Sequence, residues 1–582
     1  MITKYSVSVL AAMVAASLGV SAHANDGLEV VDLGTASGAY ETFPGGMNDL
    51  GEAVVINRNL WEQNIRFELL THESFEDFDF DDLSDAEYRL IRDFLTSPTG
   101  GASTPTYQNL ATQISHLFDG RVSELDGFDT LDPETNRYTD SVDYLAHDIN
   151  DQRIIVGHAG EPYLRRTSTN MDGEPAEYFL RDSFPRAFVR VNDNVVFLPS
   201  TADVYLGGTS DARAINESNQ IAGRAAIANT IGLSNRFDSC NAEPEDADDS
   251  GIFNEELVTC IWRYWYNAEA SSVAQGSSRS PIFIEQAHKW TLHDDGTVEA
   301  ELLGGFTQTI TPSEEEAEEG AEEEIRPILS MALDINNHGI AVGSAGRVVD
   351  AYNTRGDLIK NSRVVSSVVY KDGEIIPLQK EFHTGTSEAT AINDNNIVVG
   401  YSATFLGSAT RPRAFWVDLD ELDLNDVDAG RNYPTGFFNT SGWRPRAINN
   451  HNVMVGQGEV TAQIATARPT VGFMYDINTD EITDLNTLLP CGSEYRIVDA
   501  YDINDAGEIL ALAVTEIAIP IDGEDQVTGR MRAVRLQPAT HQPCDEIPGE
   551  QLERQGASVN PVVAGMLALF AFFITRRRVN RA

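Results

Sequence analysis

The chain has 582 residues, 42% of them hydrophobic, enough for a substantial core. Its formal charge of −49 excludes a nucleic-acid binder, because phosphates require Lys and Arg to neutralise them. So many carboxylates read as a solvated surface in an external environment, with cation binding by a clustered subset as the other reading.

Residues 1–24 are expected to be an export signal. Lys4 supplies positive charge, Val7 to Val20 is almost unbroken apolar sequence, and Ala22-His23-Ala24 is an A-x-A cleavage site. The apolar stretch is too short to be a comfortable bilayer span.

A repeat domain is expected over residues 25–545. One motif recurs seven times: a small residue, an apolar residue, Asn, polar residues usually with Gly, then an apolar pair and often another Gly. The clearest copies are Ala332-Leu-Asp-Ile-Asn336-Asn-His-Gly339-Ile-Ala-Val-Gly343 and Ala389-Thr-Ala-Ile-Asn393-Asp-Asn-Asn-Ile-Val-Val-Gly400. The asparagines are Asn48, Asn150, Asn216, Asn336, Asn393, Asn449 and Asn504, separated by 102, 66, 120, 57, 56 and 55 residues. The last three gaps define a unit of about 56 residues, and the two long gaps contain inserts.

The first insert, near 70–140, opens with the acidic run Glu73 to Asp85 and continues into a helical stretch, Ala86 to Leu95. Asp77, Asp79, Asp81 and Asp85 offer the hard, alternating oxygen ligands that calcium prefers and are the best small-ligand candidates. The run lacks the glycine of an EF-hand loop, and Phe75, Phe78 and Phe80 favour an acidic amphipathic segment instead. Asp418 to Asp428 is a similar carboxylate-rich run. A second insert, near 225–285, holds Cys240 and Cys260, and a third, near 310–326, holds the acidic tract Glu314 to Glu324, which reads as a surface loop.

After each Asn motif comes a strand, a turn and another strand, as in Arg186-Ala-Phe-Val-Arg-Val-Asn-Asp-Asn-Val-Val-Phe-Leu198 and Arg413-Ala-Phe-Trp-Val-Asp418. Asp-Gly and Asn-Asp-Asn between β-formers are hairpin signals. Each unit therefore supplies about four short strands, one blade of a propeller. Asp32-Leu-Gly-Thr35 reads as a last strand without a unit ahead of it, and Arg532-Ala-Val-Arg-Leu536 as a middle strand whose final strand is missing. One blade built from both ends would seal the ring and remove its edges. The expected fold is all-β, a seven-bladed β-propeller closed by its terminal strands, with eight blades or an open β-solenoid as alternatives.

The repeated Asn has two readings. A ring of amides could line a pore or a glycan site, or each Asn could cap its own turn; the second is favoured, because function rarely needs identical chemistry in every blade. Four cysteines fit an oxidising compartment and can pair in three ways. Cys240 with Cys260 and Cys491 with Cys544 are nearest in sequence and preferred over a metal site, since no CxxC or Cys/His cluster is present. No HExxH, GxSxG elbow, P-loop or GxGxxG is found. Gly400-Tyr-Ser-Ala-Thr404 comes nearest and reads as a strand-end serine; His288 reads as a packing residue, and His338 and His451 as turn residues.

Residues 546–556 read as a linker and 557–582 as a hydrophobic tail. Val559 to Ile574 is mostly apolar and is followed by Arg576-Arg577-Arg578 and Arg581, the pattern of an anchor with its positive residues left in the cytoplasm. The tail also resembles bacterial Gly-Gly-type sorting tails, which a rhomboid-like protease processes; Gly556-Ala557-Ser558 stands where they carry Gly-Gly-Ser.

The Asn unit with its His-Ala-Phe-like strand resembles the HAF-type extracellular repeats of bacteria. Over residues 28–540 the chain looks like the proteobacterial domain-of-unknown-function family 3466, a resemblance that implies export and brings neither an established activity nor catalytic residues. The expectation is an exported cell-surface or secreted binding or scaffold protein with a protein or glycan partner, no resident cofactor unless calcium, and recognition loops at 70–140 and 225–285 on one face. The tail would enter a membrane at least transiently. The rivals are a glycan-active enzyme with carboxylates converging at the propeller mouth and a membrane-tethered periplasmic assembly factor.

Overall fold

The computed structural model describes residues 27–540, apart from 37, 62, 98, 171, 242–255, 262–281, 313–322, 354–356, 380–384, 407–408, 425, 428–429, 463–467 and 522–523. The export signal, the Glu314 to Glu324 tract for the most part, Cys544, the linker and the tail lie outside the described residues. Among the described residues no helix is long and apolar enough to cross a membrane.

Seven small antiparallel sheets stand in a ring, so the fold is a seven-bladed β-propeller. Blade 4 shows the pattern, with Ser330–Ile335 innermost, then Ala341–Tyr352, Leu358–Lys371 and Glu374–Pro377 outermost. No blade buries its faces alone; the core is a set of layers between neighbours. Ala214, Ala222 and Ala287 of blade 3 meet Ala332, Ile335 and Val368 of blade 4, while Ala391, Val399 and Ala414 of blade 5 meet Trp443, Met454 and Phe473 of blade 6. This is the nearest-neighbour stabilisation of a repeat protein, bent into a closed circle.

The Asn motif forms the turn between the first and second strands of every blade. Asn393 shows its mechanics: its Oδ1 accepts from the backbone N–H of Asn395 at 3.1 Å and Ile397 at 2.9 Å, which caps the turn as expected. The residue three places on has positive φ in all seven copies: Gly51, Arg153, Asn219, Gly339, Asn396, Asn452 and Gly507. Gly and Asn tolerate that conformation best, which explains the Asn-x-x-Gly spacing.

The final Gly of the motif has a different cause. In blades 2 to 6 the innermost strand carries one β-bulge, and Gly157, Gly223, Gly343, Gly400 and Gly456 lie opposite it. A Cβ there would come within 1.9 to 2.1 Å of a carbonyl oxygen on the innermost strand. Blade 1 has a wider register shift and carries Val55 at this position; blade 7 keeps the same bulge, adds a second between Ile497 and Asp499, and carries Ala511.

The ends meet as expected. Gly27–Asp32 pairs antiparallel with Glu524–Ala539, Val30 opposite Leu536 and Asp32 opposite Val534, and becomes the outer strand of blade 7. This strand begins and ends earlier than the Asp32 to Thr35 segment singled out in the sequence, although the Leu33 N–H still bonds the Ala533 carbonyl at 3.2 Å.

Because each blade is an antiparallel meander, the Asn turns share one face of the ring, and the connections from second to third strand share the opposite face. The inserts of blades 1, 2 and 3 are all such connections. The blade 1 insert contains helix Asp85–Thr96, started by a Ser84/Glu87 capping box. It meets the blade 2 hairpin Leu164–Thr169 and Pro175–Leu180 through a Phe179 N–H bond to the Pro105 carbonyl at 2.7 Å. Tyr163, Phe184, Leu233, Ile261 and Phe283 join the inserts of blades 2 and 3, and the Cys240–Cys260 disulfide ties the latter together, with Cα atoms 6.0 Å apart. Cys491 is also disulfide-bonded; its expected partner Cys544 lies outside the described residues.

Candidate functional site: the central tunnel

The innermost strands of the seven blades enclose a cavity of about 880 Å³, within the size range of small-molecule sites. Its lining follows directly from the motif. In Ala-x-x-Ile-Asn, Ala and Ile enter the layers between blades, as Ala214 and Ala391 also do from the second intervening position, and the bulge sets the two intervening residues along the tunnel wall. They are Gly45-Gly46, His147-Asp148, Arg213-Ala214, Leu333-Asp334, Thr390-Ala391, Arg446-Ala447 and Tyr501-Asp502, all of which line the cavity.

Two hydrogen-bonded circles close the end of the tunnel at the Asn turns. The Nδ2 of Asn48 donates to the carbonyl of Asn150 at 3.1 Å, and the pattern continues through Asn216, Asn336, Asn393 and Asn449 to Asn504, whose Nδ2 reaches the Asn48 carbonyl at 3.3 Å. One residue further on, each backbone N–H donates to the side chain of its counterpart in the next blade. Asp49 reaches Asp151 at 3.0 Å, Asp151 reaches Glu217 at 2.9 Å, and the circle returns from Asp505 to Asp49 at 2.9 Å through Asn337, Asp394 and Asn450. The repeated Asn therefore caps its own turn with its oxygen and joins the next blade with its nitrogen.

Above these circles stand Asp148, Asp334 and Asp502. Each carboxylate accepts from its own following N–H and from an N–H of the next blade: Asp334 from Ile335 and Ile392, both at 2.8 Å, Asp148 from Ile149 and Ile215, both at 2.8 Å, and Asp502 from Ile503 at 2.8 Å and Met47 at 2.9 Å. Burial pushes Asp334 and Asp502 up to about 6, against those hydrogen bonds, with neighbouring carboxylates adding to the rise; Asp148 is raised well above the usual range for the same reasons. Carboxylates do line the tunnel, as a glycan-active enzyme would need, but all six oxygens already accept backbone N–H groups, three within their own strand and three across seams between blades.

The opposite end carries arginines. Arg58 stacks on Phe43, 4.3 Å from the ring centre; Arg444 stacks on Tyr401 at 4.3 Å and pairs with Glu388 at 3.0 Å; Arg446 stacks on Tyr501 at 4.2 Å and pairs with Asp499 at 2.6 Å. The tunnel is thus acidic toward the Asn turns and rich in arginine and aromatic faces toward the inserts.

Between these ends lies a compact polar cluster in the wall. His147 Nε2 and His158 Nδ1 of blade 2 are 3.1 Å apart, and Asp211 Oδ1 of blade 3 is 3.3 Å from the first and 3.2 Å from the second. Arg213 Nη1 is 3.3 Å from His147 Nε2 and 3.4 Å from Asp211 Oδ2. Burial pushes His147 down to about 4, and Arg213 adds to the shift. Burial would raise Asp211, but Arg213, His158 and His147 outweigh it and hold the carboxyl well below its ordinary value.

The calcium candidates lie elsewhere. Asp77, Asp79, Asp81 and Asp85 are exposed on the blade 1 insert, while Phe75, Phe78 and Phe80 alternate with them and pack inward against Ile91 and Leu95. Asp85 begins the helix, and Asp79 accepts from the Asp81 N–H at 3.2 Å. Among the described residues, the His147, His158 and Asp211 trio is the group whose donors converge as metal ligands must. His288 is fully buried and stacks on Trp290, with Thr201 and Gln286 as partners. Ser402 bonds Ser387 and Arg431 within its blade.

None of the tunnel-lining pairs was singled out from the sequence. They occupy the two variable positions of the motif, and the readable signal was the Gly that follows the Asn by seven residues, which marks the bulge opposite it.

No curated protein matches this sequence. Among solved structures, a puromycin-hydrolysing peptidase of Mycobacterium tuberculosis aligns at 10% identity and a TM-score of 0.22, covering 69% of this chain and 55% of that one. The chain thus spans about half the length of that peptidase. The profile described as "Protein of unknown function (DUF3466)" matches residues 3–578. With a match over nearly its whole length, the chain belongs to the DUF3466 family.

Proposed function

We propose that this protein is an exported binding protein, displayed at or released from the cell surface, that takes a polar ligand of the glycan class at the arginine-lined end of its tunnel. One observation carries this reading. The framework positions of the motif are nearly invariant from blade to blade, whereas the bulge positions are Gly45, His147, Arg213, Leu333, Thr390, Arg446 and Tyr501, each blade offering different chemistry apart from the two arginines. A purely structural tunnel has no need of such variety, while recognition does. Arg58, Arg444 and Arg446, each stacked on a ring, present donors beside aromatic faces, which suits hydroxyl-bearing rings that carry an acidic group.

The test is to screen the purified protein against neutral and acidic oligosaccharides by thermal shift and calorimetry. Binding of an acidic glycan that weakens about tenfold or more in Arg58→Gln, at unchanged melting temperature, supports the reading. Absence of binding across both classes sinks it. Export is tested separately by mass spectrometry of the native C-terminal peptide in membrane and medium fractions. A terminus near Gly556 in the medium indicates a processed tail, an intact terminus at Ala582 in the membrane indicates a permanent anchor, and recovery in the cytoplasm alone defeats the proposal.

A further inference from the structure

The His147, His158 and Asp211 cluster has a geometry that packing alone does not demand. Ligands about 2.0 to 2.2 Å from one metal ion lie roughly 3.0 to 3.5 Å from each other at tetrahedral or octahedral angles. The three donors here are mutually 3.1, 3.2 and 3.3 Å apart. The fold brings them together from three strands: His147 from Tyr144–Ile149, His158 from its hairpin partner Ile154–Ala159, and Asp211 from Ser210–Ile215 of the next blade.

One lone pair is fixed by its neighbour. An arginine N–H can only donate, so the His147 Nε2 facing Arg213 Nη1 is an acceptor. Asp211 already sits among cationic and imidazole groups, with Arg213 at 3.4 Å and Arg224 at 3.9 Å. Arg213 is therefore a cation held against one nitrogen that a metal ion would use, His147 Nε2, and against the second oxygen, Oδ2, of the same carboxylate. Its side chain is 35% exposed and lines the tunnel beside both histidines, so it has room to swing away.

We propose that His147, His158 and Asp211 form a binding site for a divalent transition-metal ion in the tunnel wall, with Arg213 as the competing internal cation. Two imidazoles and one carboxylate favour zinc, iron(II), cobalt or nickel over calcium or magnesium. Three protein ligands leave coordination positions facing the tunnel, where water or a ligand atom completes the shell. The site is independent of the glycan reading and stands or falls by itself.

The test uses the full chain, purified and stripped with chelator, then titrated with cobalt(II) at neutral pH while the visible spectrum is recorded, with zinc(II) as competitor. One cobalt per chain, with ligand-field bands that vanish in His158→Ala at unchanged melting temperature, is the expected result. Arg213→Gln is expected to bind about tenfold or more tightly, because it removes the competing charge. Asp211→Asn is a secondary variant, since its burial makes it prone to misfolding; His158, half-buried, carries the test. Uptake unaltered in His158→Ala overturns the proposal. So does an absence of binding below about 100 µM in both the native chain and Arg213→Gln.

Discussion

The side-chain amide of Asn504 donates to the backbone carbonyl of Asn48 across 456 residues of sequence, at 3.3 Å. That bond turns six repeated contacts into a closed circle. Any single asparagine of the circle therefore serves two blades at once.

Asn393→Ala is expected to cost roughly 1 to 3 kcal/mol, since it takes the side-chain partner from the buried Ile397 N–H and removes the inter-blade donor from the Asn449 carbonyl, which keeps only the Asn452 N–H of its own turn. Asn393→Asp separates the two roles. A carboxylate still caps the turn but sets an oxygen against the Asn449 carbonyl, so it should lose most of the same stability. If Asp proves nearly silent in urea unfolding, the turn alone matters and the circle does not.

Replacing the bulge residue should do little to the fold, whereas its neighbour is constrained. Leu333→Gln faces the tunnel and is expected to shift the unfolding midpoint by less than about 0.5 kcal/mol. Ala332→Leu enters a fully buried layer between blades 3 and 4 and is expected to cost roughly 1 to 3 kcal/mol by overpacking. Equal effects of the two would refute the division between lining and framework.

This division also explains what could be read in the sequence. Blade number, ring closure and the Cys240–Cys260 pairing were legible because Asn turns, hairpins and nearby cysteines are set by local chemistry. The tunnel was not legible, because its side chains sit where copies of the motif disagree and so look like noise. His147, His158 and Asp211 lie 11 and 53 residues apart in sequence and meet only through strand pairing and a seam between blades. The acidic run at Asp77 to Asp85 drew attention by composition, yet its phenylalanines build the small core of the insert and its aspartates remain outside.

Stability should fall as pH rises through the mildly acidic range. Asp334 and Asp502 are held at about 6 in the fold, above the value near 4 of an unfolded chain. The fold thus binds protons that the unfolded chain releases between about pH 4 and 6. The resulting stabilisation is complete below about pH 4 and is lost as pH passes 6. Urea midpoints at pH 5 and 7 should show the decline, and Asp334→Asn with Asp502→Asn should flatten it. An unchanged slope in the double variant would assign the effect to other groups.

The disulfide is expected to act on the inserts and not on the ring. Cys240→Ser with Cys260→Ser opens a link that spans 20 residues, worth roughly 2 to 4 kcal/mol of local order. Hydrogen exchange should quicken across helix Ile231–Asn241 while the innermost strands of the blades keep their protection. Matching acceleration in both regions would show that the inserts and the ring unfold as one unit.

The pairing of Gly27–Asp32 with Glu524–Ala539 sets an order of events for a chain that emerges from its N-terminus. The first strand to appear has no partner until about 500 residues have followed it, so this propeller cannot mature blade by blade. Six blades can assemble provisionally, but the last seam waits for the end of synthesis. Until then, the first strand and the unfinished rim offer unpaired backbone to any neighbour. A chain stalled or cut short of Glu524 would hold six-sevenths of its blades and still lack a finished protein, which makes completeness itself the condition for folding.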